Sequence, residues 1–462
     1  MSRQELNERG GSDVDGDDDS ELAGLRGSRD MIIDDSGDGE CGDGCTHKRR
    51  PLSLLQMLQL SGFWFAYNLF WFLQMIVLMP AQVERMVGAD SKGSGLAVVS
   101  LAAGVAFGVS TLVAGALNDR FTSRLGRRMP FIAVGTVVSS VGLFLLWSSE
   151  PLWVYMLVYV PINVASAVSS VPYNGLIADV TPPEQNGRMS AVLGAANLAG
   201  YLAGAATGIF VQSLTETEVY AIMAAISLVF TVPTLVAVRE PQHHFATSDA
   251  RPPLAWGEFL SAMVRPLVVH RDFRLVFVSR MLFQLGIATM QQFLQYWIAD
   301  CVATDMTPTR AVSVGLIPNL LLAPLAAMLI PSHHRKIVVY AAAAMMIAAC
   351  VLVMATSQFG WVLAVSGLFG SGFGPFLSVE FAMLMDVLPS ASDAARDMGL
   401  WHMALVLPQI VATPVAGWIL DASQQFGNAR GMQCFGYQVV YGMCMAYFLA
   451  GVAVTVRIRG IK

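Results

Sequence analysis

Residues 94–117 read SGLAVVSLAAGVAFGVSTLVAGAL, and residues 118–130 read NDRFTSRLGRRMP. The first stretch carries no charge over 24 residues. At about 1.5 Å per residue, a helix of that length crosses the ~30 Å hydrocarbon core of a bilayer. The second stretch packs four arginines and one aspartate into thirteen residues, a density of charge that hydrocarbon does not accept. An uncharged span that stops at an arginine-rich segment has the pattern of a membrane helix emerging into a cytoplasmic loop.

The same alternation continues in both directions. Apolar runs cover 58–80, 94–117, 131–147, 152–178, 189–211, 218–238, 274–299, 311–330, 337–355, 361–385, 398–420 and 437–456, here numbered helix 1 to helix 12. Short polar connections separate them, apart from one long one, Arg239 to Phe273. The predicted fold is all-α: a polytopic membrane protein of twelve transmembrane helices in two six-helix halves, 51–238 and 274–462, joined by a cytosolic linker, 239–273. Composition agrees, since 55% of the 462 residues are apolar and 13% are charged, about half the ~25% of soluble domains. A soluble globule is excluded.

The formal net charge of -5 is unevenly spread. Residues 1–50 hold 14 acids and 7 bases, and the other 412 residues hold 19 acids and 21 bases. Rich in Gly, Ser and Asp, residues 1–50 bury too little surface to offset their ordering entropy and read as a disordered acidic cytosolic tail. The tail shows no apolar signal segment, so helix 1 is expected to direct insertion. Its Cys41, Cys45 and His47 lack a fourth ligand, and no metal or cofactor is expected.

Lys and Arg fix the expected orientation. Alternate connections, beginning with Lys48–Arg50, carry 19 of them, and the opposite set carries 4, Arg85, Lys92, Arg310 and Arg430. Both termini are therefore expected in the cytoplasm. The plasma membrane is the expected location. Cys301 and Cys434 fall on the opposite face, where an oxidising compartment permits a disulfide if their Cα atoms come within ~7 Å.

The halves echo each other. Asp179-Val-Thr-Pro followed by Arg188 ends helix 4, and Asp386-Val-Leu-Pro followed by Arg396 ends helix 10. Repeats of this kind build secondary transporters with a binding cavity between the halves. The 2–3 loop adds Gly115, Asp119, Arg120, Gly126, Arg127 and Arg128. This set resembles the signature loop of the major facilitator superfamily. Its longer form, DRFTSRLGRRMPF, is similar to the loop of sucrose transporters and their bacterial relatives, which border the glycoside-pentoside-hexuronide:cation symporters. The likeness extends along most of 57–456, through PYNGLIADV (172–180), Pro183-Glu184, Gly187-Arg188 and Gly370 to Gln409.

The resemblance implies that helices 1, 2, 4, 5, 7, 8, 10 and 11 line a cavity, and that Asp119 meets the positive N-terminal end of helix 11 to close the cytoplasmic side. Arg120, Arg127 and Arg128, with Asp179 and Glu184, suit a charge network that forms in one state and breaks in the other. Simple obedience to the positive-inside rule is the competing reading of these arginines. Two departures stand out: the second-half loop Pro331-Ser-His-His-Arg-Lys336 lacks the Gly and Asp, which weakens a symmetric gate, and helix 1 lacks the Asp of the cation-coupled sugar relatives.

Away from the ends of the spans, charge is confined to Arg280 and Glu380, each about six residues and thus about 9 Å in from the Arg-rich boundary. Equal depth pairs them, with His402 nearby. Proton coupling and a static pair under the cavity floor both fit. Helix 7 places Arg280, Gln284, Gln291 and Gln295 on one face, suited to sugar hydroxyls or to interhelical hydrogen bonds. His402, Gln409 and Thr413 do the same on helix 11. Helix 4 offers Asn163, Ser166, Ser170, Tyr173 and the adjacent Asn174, and helix 1 offers Tyr67, Trp71 and Gln74, which packing also explains. Gly200, Gly204 and Gly208 on helix 5 permit a close partner helix, and Gly367, Gly370, Gly372, Gly374 and Pro375 read as a flexible bend in helix 10.

Nucleophile-elbow, zinc-protease and Walker motifs are absent from the sequence, so no enzyme is expected. The expectation is a secondary active transporter or facilitator moving a small polar organic solute, foremost a sugar, by alternating access. A drug or metabolite efflux antiporter is the alternative within the superfamily, although helix 5 lacks the Gly-Pro bend usual there. A channel or transporter-derived receptor is the alternative from another class. Expected partners are the solute, the lipid bilayer and, if transport is coupled, protons; the chain is read as a monomer that binds no nucleic acid.

Overall fold

The computed structural model describes residues 51–118, 126–146, 149–237, 256–329, 334–387 and 394–459, with Phe121 and Ser123. The acidic tail with Cys41, Cys45 and His47 lies outside the described residues, as do Asp119 and Arg120. Twelve helices are long and apolar enough to cross a membrane, and the chain is an integral, multi-pass membrane protein. They are α1 (Leu54–Val87), α2 (Lys92–Asn118), α3 (Met129–Leu146), α4 (Leu152–Val180), α5 (Asn186–Phe210) and α6 (Glu216–Ala237). The second six are α7 (Arg271–Cys301), α8 (Pro308–Leu329), α9 (Arg335–Ala355), α10 (Phe359–Val387), α11 (Ala394–Asn428) and α12 (Phe435–Val456). Part of the segment read as a plain linker forms a further helix, Trp256–Val269.

Local chemistry sets several ends. Ser53 caps α1 by accepting from the Gln56 N–H, while the Gln56 side chain accepts from the Ser53 N–H, so two orphan donors are satisfied together. The helix runs past Pro80, where the sequence suggested an end. A π-helical segment, Leu73–Leu78, precedes that proline, and its wider turn accommodates the missing N–H. Gly88, at φ +82°, then terminates α1 in a conformation that side chains rarely adopt.

Packing repeats between the two sets of six. In the first set α1 packs on α5 and α6, α2 on α4, and α3 on α4 and α6. In the second, α7 packs on α11 and α12, α8 on α10, and α9 on α10 and α12. Between the sets, α2 meets α11 and α5 meets α8, which are equivalent pairs under the same repeat.

Gly200 and Gly204 bring α5 against α1, where added Cβ atoms would stand 2.5 Å from the Phe65 carbonyl and 3.0 Å from the Phe72 ring. The α10 glycines do related work. A Cβ at Gly374 would fall 1.8 Å from the Ala323 carbonyl oxygen of α8, and one at Gly372 would lie 2.7 Å from the Ala342 carbonyl oxygen of α9. Large apolar side chains such as Val134, Val141, Leu157 and Leu325 are exposed on the outside, as a lipid-facing surface requires.

Candidate functional site

The cross-set contacts that the glycines of α2 and α5 mark run from mid-helix toward the end opposite the Arg-rich loops. Gly93 of α2 touches Gly417 of α11, and Gly104 and Gly108 approach Ile410. Gly208 of α5 rests on Ser313 of α8, and the Gln212 amide donates to the Thr307 hydroxyl. Tyr296 of α7 donates to the Pro80 carbonyl at 2.8 Å. Nearer the Arg-rich end, added Cβ atoms at Gly187 and Gly194 of α5 would have no neighbour within 4 Å, and one at Gly115 would meet only Val171 of its own set. Among the described residues, close contacts between the two sets are thus seen toward one end, and these three glycines touch nothing of the opposite set.

The expected buried pair forms within the second set. Arg280 Nε of α7 lies 3.4 Å from Glu380 Oε1 of α10, with side chains 11% and 4% exposed. Removing two charges from water costs as much as their attraction returns, so the pair is poorly explained as a stabilising device. An apolar cluster of Phe273, Phe277, Leu384, Leu400 and Ala404 lies close by in sequence on the same helices and α11.

Polar groups without partners accompany it. Gln284 and Gln295 are buried on α7, and Gln284 Nε2 and Gln295 Oε1 make no hydrogen bond. Gln291 lines a cavity with Leu316, Asn319, Ser366 and Phe369, where Asn319 Oδ1 and Ser366 Oγ are also unpartnered. The sequence reading missed Asn319 and Ser366, although an amide inside an apolar run was the available clue. Gln409 is exposed on α11, and Thr413 is buried. The side chains of His402 and Arg396 lie outside the described residues.

In the first set, Tyr67 stacks on Trp64 at 5.3 Å, and Trp71 stands edge-on to Phe107 at 5.7 Å with its indole Nε1 unpartnered. Gln74, within the π segment, donates to the Tyr155 hydroxyl at 2.9 Å, leaving its Oε1 without a donor. Two further candidates are engaged internally: Asn163 donates to the Tyr159 carbonyl of its own helix, and Tyr173 donates to the Leu60 carbonyl of α1. Asn174 is exposed.

At the Arg-rich end Arg127 and Arg128 converge on Asp179, at 3.1 and 2.8 Å. The end of the Arg128 side chain fills the space beside Gly175, where a Cβ would stand 1.0 Å from Nη1. Glu184 and Arg188 are exposed and form no ion pair among the described residues. In the second set Arg335 pairs with Asp386 and donates to the Ala382 carbonyl. The repeat therefore keeps the pair between the start of its third helix and the end of its fourth, even though its loop lacks the Gly and Asp.

Solved structures share this architecture. The nucleoside transporter NupG is similar over 88% of this chain and 99% of its own, at 15% identity and a TM-score of 0.67. The peptide transporter POT, in complex with sulfate, is similar over 87% and 94%, at 14% identity and a TM-score of 0.64. A bacterial homolog to the human lysosomal transporter Spinster, inward-facing and unoccupied, is similar over 88% and 94%, at 14% identity and a TM-score of 0.59. At such identities the likeness is one of fold. No curated protein sequence matches the chain. The Major Facilitator Superfamily profile matches residues 60–300, more than half of the chain, from α1 almost to the end of α7. With a transporter fold repeated in two sets and that match along the first seven helices, the chain belongs to the Major Facilitator Superfamily.

Proposed function

We propose that this transporter moves a small, uncharged, polar organic solute, foremost a sugar, by alternating access between two six-helix halves. The observation that carries the reading is the chemistry of the inner faces. Unpartnered amide and indole groups on Trp71, Gln74, Gln284 and Gln295 accompany an acid and a base, Glu380 and Arg280, that neutralise each other. Amides donate and accept together, as vicinal hydroxyls require, and aromatic faces offer apolar support to a sugar ring. The likeness of the 2–3 loop to that of sucrose transporters supports the same substrate class.

In this reading the Arg-rich end and both termini face the cytoplasm, the membrane is the plasma membrane, and the state described is open to the cytoplasm. Asp119 closes that side against α11 in the opposite state, within a network of Arg120, Arg127, Arg128, Asp179, Glu184 and Arg188, and of Asp386 and Arg396 in the second half. Glu380 is the proposed proton carrier: protonation releases Arg280, so their separation ties proton binding to conformation.

Uptake of labelled mono- and disaccharides into proteoliposomes, with and without a proton gradient, tests the reading. Saturable sugar counterflow is expected. Absence of counterflow with every sugar, while labelled nucleosides exchange, overturns the substrate class. Sugar flux indifferent to the gradient removes Glu380 as proton carrier.

A further inference from the structure

Two carboxylates of the second set reach across to the first at the end opposite the Arg-rich loops. Asp421, near the end of α11, accepts from the backbone N–H groups of Gly93 and Ser94 at 2.9 and 2.7 Å. These donors belong to the first turn of α2, where a helix has no partners of its own and carries the positive end of its dipole. The approach depends on two glycines. A Cβ at Gly417 would stand 2.2 Å from the Gly93 carbonyl oxygen, and one at Gly93 would stand 2.5 Å from Asp421 Oδ1.

Beside this contact lies Lys92, 4% exposed. Its ammonium group is 2.9 Å from Glu84 of its own set and 2.7 Å from Asp300 of the other. The Tyr296 ring lies beneath it at 4.9 Å, and Tyr437 donates to Asp300. The equivalent contact of the repeat, between the end of α5 and the start of α8, is uncharged: Gln212 donates to Thr307.

We infer that Lys92 and Asp421 are gating residues, forming a one-sided charge latch that holds the end opposite the Arg-rich loops closed. When the sets part there, Lys92 keeps Glu84 and loses Asp300, and Asp421 leaves two N–H donors with water alone. These contacts exist in one state only, so they bias the equilibrium between the states rather than the stability of either set. Opening at the α5–α8 contact exchanges one neutral hydrogen bond for water and is the easier side to part. The inference rests on alternating access and not on the identity of the solute.

Cysteine accessibility in nanodiscs, without solute, tests it. Ser100 is 6% exposed and lies on the α2 face that carries Ala97 and Gly104; Gly194 faces open space toward the other end. Ser100→Cys and Gly194→Cys are reacted separately with a membrane-impermeant maleimide, and modification is read on the peptide carrying each position. Asp421→Asn and Lys92→Gln are each expected to raise labelling at position 100 by about ten-fold, the population shift that follows loss of a charge-assisted hydrogen bond, and to lower it at position 194. Unchanged labelling at both positions in folded protein overturns the latch. So does a rise at both, which reports loosened packing and not a change of state. If Asp421→Asn does not fold, Asp300→Asn gives the same reading while Glu84 continues to pair Lys92. A transporter that proves to carry no sugar leaves every one of these outcomes intact.

Discussion

Glu380 and Arg280 are held 3.4 Å apart at 4% and 11% side-chain exposure, and each compensates the charge of the other. Removing one leaves a buried ion alone, whereas removing both leaves none. Arg280→Ala is therefore expected to cost about 3–5 kcal/mol of stability, and the double variant Arg280→Gln with Glu380→Gln to recover most of it. Thermal melting of the purified protein decides the matter, since a double variant as unstable as the single one shows that the pair is not coupled. Gly175 works at the same scale. Absence of a Cβ there lets Arg128 lie against α4 and reach Asp179; the sequence offered the Arg128–Asp179 pair but not the part Gly175 plays in it.

Elements are positioned by backbone approach. The glycines of α10, which the sequence offered as a flexible bend, admit α8 on one side and α9 on the other, so they serve packing. Gly374→Ala is expected to destabilise the protein by about 1–3 kcal/mol, because a Cβ must displace the Ala323 backbone. Gly360→Ala, with no neighbour within 4 Å of the added atom, is the matched control and is expected to melt close to the parent. Equal melting of the two variants contradicts the packing role. On α1 the π segment has a related consequence, letting the helix continue through Pro80 as far as Glu84, and so bringing that acid to Lys92.

For the whole molecule, the proposed transport cycle rests on the difference between its two ends. Cys301 and Cys434 are disulfide-bonded with Cα atoms 6.0 Å apart, at the end where Lys92 and Asp421 join the two sets. Such a bond persists in an oxidising compartment, which agrees with the proposed non-cytoplasmic placement of that face. A membrane-impermeant phosphine added to intact cells is expected to release both thiols, read by alkylation and peptide mass spectrometry. Release only after permeabilisation reverses the orientation. The reduced protein is expected to melt at a lower temperature, since the bridge constrains a long stretch of unfolded chain.

Hydropathy determined the twelve spans and their order, because hydrocarbon excludes charge over a fixed thickness and each helix satisfies its own backbone. The recurrence of Asp179 and Asp386 likewise announced the internal repeat, and the isolated charges Arg280 and Glu380 announced their pairing through equal depth. Contacts between helices distant in sequence were decided only in three dimensions. Arg335 joins Asp386 from a loop that does not resemble its counterpart, Tyr173 turns its hydroxyl to the α1 backbone, and Lys92 meets Asp300 across 208 residues. A residue's span follows from its transfer free energy, which is a local quantity; its partner follows from helix rotation and close approach, which the packing of all twelve helices sets together.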